Sequence, residues 1–210
     1  MFFCYNTAIV PADKEKRYED MKKIRDEVVA FKKSPLYKYR VSQKNLPVIG
    51  EGSHSAEIMF VGEAPGKNEA LTGRPFCGQA GRVLDELLAS INIERGDIYI
   101  TNIVKDRPPE NRDPEPEEIG AYAPFLDRQI EIIQPKVIVP LGRFSMRYIL
   151  DKFGVDNGET ISRVHGKMFD AETPYGKIKI MPMYHPAASL YNPNTRKLLE
   201  ADFKKLKGVL

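Results

Sequence analysis

The chain has 210 residues, 42% hydrophobic and 29% charged, and 32 Lys plus Arg against 29 Asp plus Glu leave a net charge of +3. That length predicts one domain, residues 1–210, with a core that needs no disulfide or metal staple, and the weak positive balance permits an anionic partner without demanding one. Two cysteines (Cys4, Cys77) exclude a disulfide framework, three histidines (His54, His165, His185) leave little for a zinc site, and no apolar run reaches the ~18 residues of a membrane span.

The opening stretch, MFFCYNTAIVPADKEKR, has no basic n-region and no A-x-A cleavage site, so it reads as part of a mature, intracellular protein. Residues 12–33 predict a helix, with Tyr18, Met21, Ile24, Val28 and Phe31 recurring every three or four positions. Residues 1–33 are thus an N-terminal extension and helix packed on the domain. The segment 31–50 loses this period and reads as a basic connector ending in a turn near Pro47 and Gly50. EIMFVG (57–62) is a short apolar strand. A glycine-rich loop follows, then a helix over 80–91 with Val83, Leu84, Leu87, Leu88 and Ile91 on one face. IYITNIV (98–104) is the second strand, and KDRPPENRDP (105–114) a polar, proline-rich loop. Asp113 is the expected N-cap and Pro116 the first-turn residue of a helix reaching Gln134, which Pro124 should kink or interrupt. KVIVPL (136–141) is the third strand, 143–152 a helix, KIKIMPM (177–183) the fourth strand, and 195–207 the last helix.

Continuous apolar strands alternating with helices imply an α/β fold, a three-layer α/β/α sandwich around a mostly parallel four-stranded sheet. Ligands of such sheets bind beyond the carboxyl ends of the strands. That selects the loop after 57–62, with Gly62-Glu63-Ala64-Pro65-Gly66 and continuing to Phe76; the loop opened by Asn102; and the loop holding His185-Pro186-Ala187-Ala188. The dinucleotide and P-loop fingerprints are absent. Phe76 in its glycine-flanked loop is either a core plug or a ring on which a base stacks. Asn102 is either a turn residue or a reader that accepts one hydrogen bond and donates another, a pair that uracil matches and cytosine reverses. His185 is either structural or a donor to an oxygen gaining negative charge. Glu63 and Glu69 are either solvated or, in a closed loop, able to hold a water.

Taken together, GEAPG (62–66), G-x-P-F-x-G-x-A-G (73–81), TNIVK (101–105), RPPENRDP (107–114), KVIVPLG (136–142) and YHPAA (184–188) resemble the uracil-DNA glycosylase superfamily, most of all its family 4. The resemblance runs from about residue 31 to 207. It implies that Phe76 stacks on a flipped uracil, Asn102 reads its edge, His185 steadies its O2 and Glu69 crowds C5 against thymine. Ala64 stands where better-known relatives carry a water-activating Asp, which leaves Glu63 and the loop's backbone to place water, with Gly62 and Ala64 among the substrate-binding residues. Leu190 or Tyr191 is either a wedge that fills the gap in the duplex or ordinary packing. Lys105, Arg107, Arg112 and Arg196 are either phosphate contacts or solvated charges.

Family 4 implies a [4Fe–4S] cluster held by four cysteines, and here those places are Phe31, Ser34, Asp106 and Tyr122. The expectation is therefore no cluster and no other cofactor or metal, with side chains packed in its place and Asp106 paired with a Lys or Arg. A related branch captures the sugar with a histidine in the loop after TN. RPPENRDP has none, so hydrolysis with turnover is expected. The sum is a monofunctional, monomeric glycosylase acting on uracil-containing DNA. The alternative is a catalytically silent DNA- or partner-binding module that kept the fold; a glycosylase retuned to another lesion would show changes at Glu69 or Asn102.

Overall fold

Every residue of IMFVG (58–62), YITN (99–102) and VIVP (137–140) is buried, so these strands need apolar cover on both faces. The computed structural model of the chain, which describes residues 14–155 and 158–209, shows how that cover is built. In chain order the elements are α1 (Lys14–Val29), α2 (Tyr37–Ser42), β1 (Glu51–Gly52), β2 (Ile58–Gly62), α3 (Lys67–Thr72), α4 (Gln79–Ser90), β3 (Tyr99–Asn102), α5 (Pro116–Ile133), β4 (Val137–Pro140), α6 (Arg143–Lys152), α7 (Ile161–Val164), β5 (Phe169–Thr173), β6 (Gly176–Ile180) and α8 (Pro193–Lys207).

The strands make one sheet in the order β1-β3-β2-β4-β6-β5. Its four inner strands, β3, β2, β4 and β6, run parallel. The edges, β1 and β5, are antiparallel. Side chains alternate along β2 as a pleat requires. Met59 and Val61 enter a core with residues of α1, α5 and α6, while Ile58 and Phe60 enter a second core with residues of α4 and α8. The result is the expected three-layer α/β/α sandwich.

The sheet has six strands rather than four. The inner four are those expected; β1 has only two residues, and β5 (FDAET) lacks an apolar run. The basic connector contains α2, whose one buried residue is Arg40, and the glycine-rich loop contains α3. In the first predicted helix, Met21, Ile24 and Val28 are buried but Tyr18 is exposed; residues 12 and 13 lie outside the described residues, as does Cys4. The N-cap of α5 is Glu115, not Asp113: the Glu118 carboxylate accepts from the Glu115 N–H at 2.9 Å, while Asp113 pairs with Arg143. Pro124 does not interrupt α5. It lies on the exposed face, and Gly120, whose carbonyl loses its donor there, is exposed too, so the lost bond faces solvent.

Phe31, Ser34, Asp106 and Tyr122, far apart in sequence, meet in space. The Tyr122 hydroxyl donates to Asp106 Oδ2 at 2.5 Å, and the Ser34 hydroxyl lies 2.7 Å from the Tyr122 oxygen. Arg40 donates to Asp106 Oδ1 at 3.2 Å and to the carbonyls of Val28 and Val29, at the end of α1. The Phe31 ring packs edge-on against Tyr122, 5.7 Å between centroids. Burial pushes the Asp106 carboxyl up, against the pull of Tyr122 and Arg40. A phenyl ring packed on a phenol that is itself hydrogen-bonded to a hydroxyl and a carboxylate offers no thiolate, so these residues do not fit an iron–sulfur cluster. Among the described residues no group of three or more His, Cys, Asp or Glu could hold a metal ion. No helix among them is long and apolar enough to cross a membrane.

Asp106→Ala leaves Arg40 buried without its carboxylate, and the expected cost is about 3–5 kcal/mol. Denaturant unfolding followed by circular dichroism checks this; a variant as stable as the parent chain contradicts it.

Candidate active site

Gly62 ends β2 and is the register partner of Asn102, which ends β3. A Cβ at position 62 would collide with Asn102 Oδ1 and with the Phe76 ring. Only glycine lets the carboxamide and the ring close on this point. Asn102 is 2% exposed, lines the cavity, and has no side-chain hydrogen bond among the described residues. Phe76 is also buried and holds a left-handed backbone at φ 48°. Two supports keep it there. Gly81, in the first turn of α4, has no Cβ to strike the Phe76 carbonyl, and the Glu69 carboxylate accepts from the N–H groups of Cys77 (3.2 Å) and Gly78 (3.1 Å).

His185 follows β6 and caps a short 3-10 turn, Pro186–Leu190. Its Nδ1 accepts from the Ala187 N–H at 3.2 Å, so the ring proton resides on Nε2. Burial pulls the imidazole down to about 4, which keeps it neutral near pH 7. Its ring lies 5.4 Å from that of Phe76, at 26°.

Glu63 turns toward the start of α6, where its Oε1 accepts from the Phe144 N–H at 3.3 Å. Gly142, at φ 96°, makes room, since a Cβ there would strike the carboxylate. Burial raises the Glu63 carboxyl above its ordinary range, against the Phe144 N–H.

These groups surround one cavity of about 340 Å³, within the ~300–1,000 Å³ of small-molecule sites. Glu63, Ala64, Glu69, Phe76, Asn102 and His185 line it, together with Pro108, Asn111, Arg112, Asp113 and Pro114 of the proline-rich loop. The three selected loops therefore do converge. Sequence reasoning missed the fourth strand end. Gly142 accommodates Glu63, and Arg143 pairs with Asp113 beside the cavity. The strand-end rule, applied to KVIVPL as well, would have found it.

The remaining candidates divide. Leu190 is 40% and Tyr191 86% exposed, just beyond the His185 turn, so neither is packed in the core. Arg107 donates to Asn111 at 2.7 Å. Arg112 grips the Glu118 carboxylate at 2.6 and 2.9 Å, and Arg196 pairs with Glu86 and Glu200. Lys105 is a correction. It is fully buried, with its Nζ bonded to Thr101, to Gln129 and to the Asn102 carbonyl, and reaches no phosphate.

A family model described as the Uracil DNA glycosylase superfamily matches residues 49–207. The chain is 51% identical to the Type-4 uracil-DNA glycosylase of Sulfurisphaera tokodaii, over 90% of this chain and 84% of that protein. It is 47% identical to the Type-4 enzyme of Archaeoglobus fulgidus, over 90% and 92%. It is 44% identical to that of Thermotoga maritima, over 78% and 82%. The matched span holds all four inner strands and every group around the cavity, and the chain belongs to the uracil DNA glycosylase superfamily.

Proposed function

We propose that this chain is a monofunctional uracil-DNA glycosylase that hydrolyses the bond between uracil and deoxyribose and leaves an abasic site. The observation that carries the reading is the meeting of Phe76, Asn102 and His185 on one cavity, each with a chemistry that uracil answers. Extrusion of the base from a duplex costs a few kcal/mol, least at a mispair. Phe76 stacks on the base face. The Asn102 carboxamide accepts from N3–H and donates to O4, the reverse of what cytosine offers. The Glu69 carboxylate, fixed by two backbone N–H groups, walls the side where a thymine methyl would press.

As the C1′–N1 bond breaks, its electron pair moves to the base, and the negative charge spreads to O2 and O4. A neutral imidazole with its proton on Nε2 donates to O2 without surrendering the proton, and meets the charge as it grows. Water adds through oxygen to C1′ and releases a proton, and the uracil anion takes one up. Glu63, held against α6, positions that water. Leu190 and Tyr191 stand free beyond His185 to fill the place of the extruded base, and Arg107 and Arg112 flank the cavity for phosphates. The enzyme acts on intracellular DNA, as a monomer.

This enzyme works without an iron–sulfur cluster. Two cysteines in the whole chain cannot supply four thiolates, and of the four ligand places three are hydrogen-bonded together and the fourth, Phe31, packs its ring against Tyr122. Protein purified anaerobically is expected to lack both iron and the visible absorbance of such a cluster; a stoichiometric iron content contradicts this.

An oligonucleotide bearing one uracil, treated with the protein and then with alkali, is expected to break at that site. Asn102→Ala and His185→Ala should each slow single-turnover cleavage by about 10²–10³-fold. DNA binding without any cleavage by the parent chain would favour the silent binding module. His185 also has a pH signature. Its folded value of about 4 lies below its ordinary 6.5, so the unfolded chain binds the extra proton first. The stability this residue contributes is complete above 6.5 and is lost as pH falls toward 4. Its imidazole resonances in an NMR titration are expected to move with a midpoint near 4; a midpoint near 6.5 contradicts the enclosed, neutral ring.

A further inference from the structure

Lys105 is the one lysine among the largest fully buried side chains, and no carboxylate among the described residues is its ion-pair partner. Its Nζ lies 2.6 Å from the Asn102 carbonyl, 2.8 Å from Thr101 Oγ1 and 2.6 Å from Gln129 Oε1. All three present lone pairs. The Thr101 hydroxyl spends its proton on the Ile49 carbonyl at 2.7 Å, and the Gln129 amide nitrogen donates to Ile49 and Tyr99. Three acceptors match the three hydrogens of an ammonium. A neutral amine has two and would turn its own lone pair against one of them. Burial draws the amine's proton affinity well below its ordinary value; against that stand three lone pairs aimed at one nitrogen, which only the ammonium satisfies together.

We propose that Lys105 is a positioning residue for uracil excision: its ammonium locks the Asn102 peptide from behind and places a positive charge beneath the edge of the leaving base. The proposal rests on the glycosylase reading above. A phosphate contact does not fit, because no part of the side chain reaches the surface. What does fit is the leaving group. The bond breaks with its electron pair going to the base, and an unpaired buried cation on the far side of Asn102 meets that charge in a medium of low dielectric, where such interactions are strong. The protein thus holds the cation before the anion forms, with no rearrangement at the moment of cleavage.

The test compares single-turnover excision of uracil and of 5-fluorouracil, whose ring carries negative charge more readily and needs less help to leave. Lys105→Met removes the charge. Lys105→Gln removes it while keeping a donor for the Asn102 carbonyl. Because both bases are cut by the same preparation, the ratio of the two rates does not depend on how much of a variant is folded. Uracil excision is expected to slow by at least about tenfold more than 5-fluorouracil excision in both variants, with affinity for uncut DNA unchanged. Equal slowing of both bases overturns the charge role, and so does an unaltered uracil rate. Weakened DNA affinity with an unaltered ratio overturns it as well, and would mean that the substitution disturbs the cavity wall after β3 rather than the charge beneath the base. Failure of the parent chain to excise either base would sink the glycosylase reading instead, and is told apart by that control.

Discussion

The pocket exists because position 62 carries no side chain. Parallel pairing sets Gly62 directly beside Asn102, and the volume that a Cβ would take is filled by the carboxamide of one loop and the ring of another. Each of the other supports serves this close approach. Glu69 ties down the backbone after Phe76, and Gly81 lets the Phe76 carbonyl rest against α4. The sheet is the rigid part. Its inner strands end on one edge, with helices on both faces, so loops of quite different sequence are delivered to one place.

Behind this edge lies a second layer of polar contacts that hydrophobic packing alone would not predict. Gln129 and Thr101 form a hydrogen-bonded set around Lys105, beneath β3. At the next residue, Asp106 gathers Arg40 and Tyr122, with Ser34 on the far side of the phenol. The two sets grip adjacent residues. Between them they hold the chain as it leaves β3 and turns into the wall of the cavity. Buried polar groups of this kind stabilise only when their partners are complete. Those of Lys105 and Asp106 are.

What the sequence made legible follows from what hydropathy records. The inner strands were readable because IMFVG, YITN and VIVP are apolar on both faces, and α4 because five apolar residues share one side. The short edge strands carry no such mark. Nor does α2, which buries a single residue, and that an arginine. The same blindness explains Lys105. A lysine in a polar loop reads as solvent-facing, and nothing in its neighbours announces that Thr101, Gln129 and a backbone carbonyl will enclose it. That the loops of Glu63, Asn102 and His185 meet on one cavity was legible through the strand-end rule and through motifs whose ordered set is specific. The part played by Gly142 was not, because the rule was applied to three strand ends and not to the fourth.

The left-handed backbone at Phe76 has a consequence of its own. An L residue with a bulky ring occupies that region at a cost of roughly 1–3 kcal/mol, and only surroundings that leave it no alternative keep it there. The position of the Phe76 ring on the cavity wall is therefore held by the chain around it, through the Glu69 carboxylate and the bare Gly81, against the local preference of the backbone. Part of the domain's folding energy is thus held as local tension at the cavity wall, and a sequence selected for thermal robustness alone would tend to let it go.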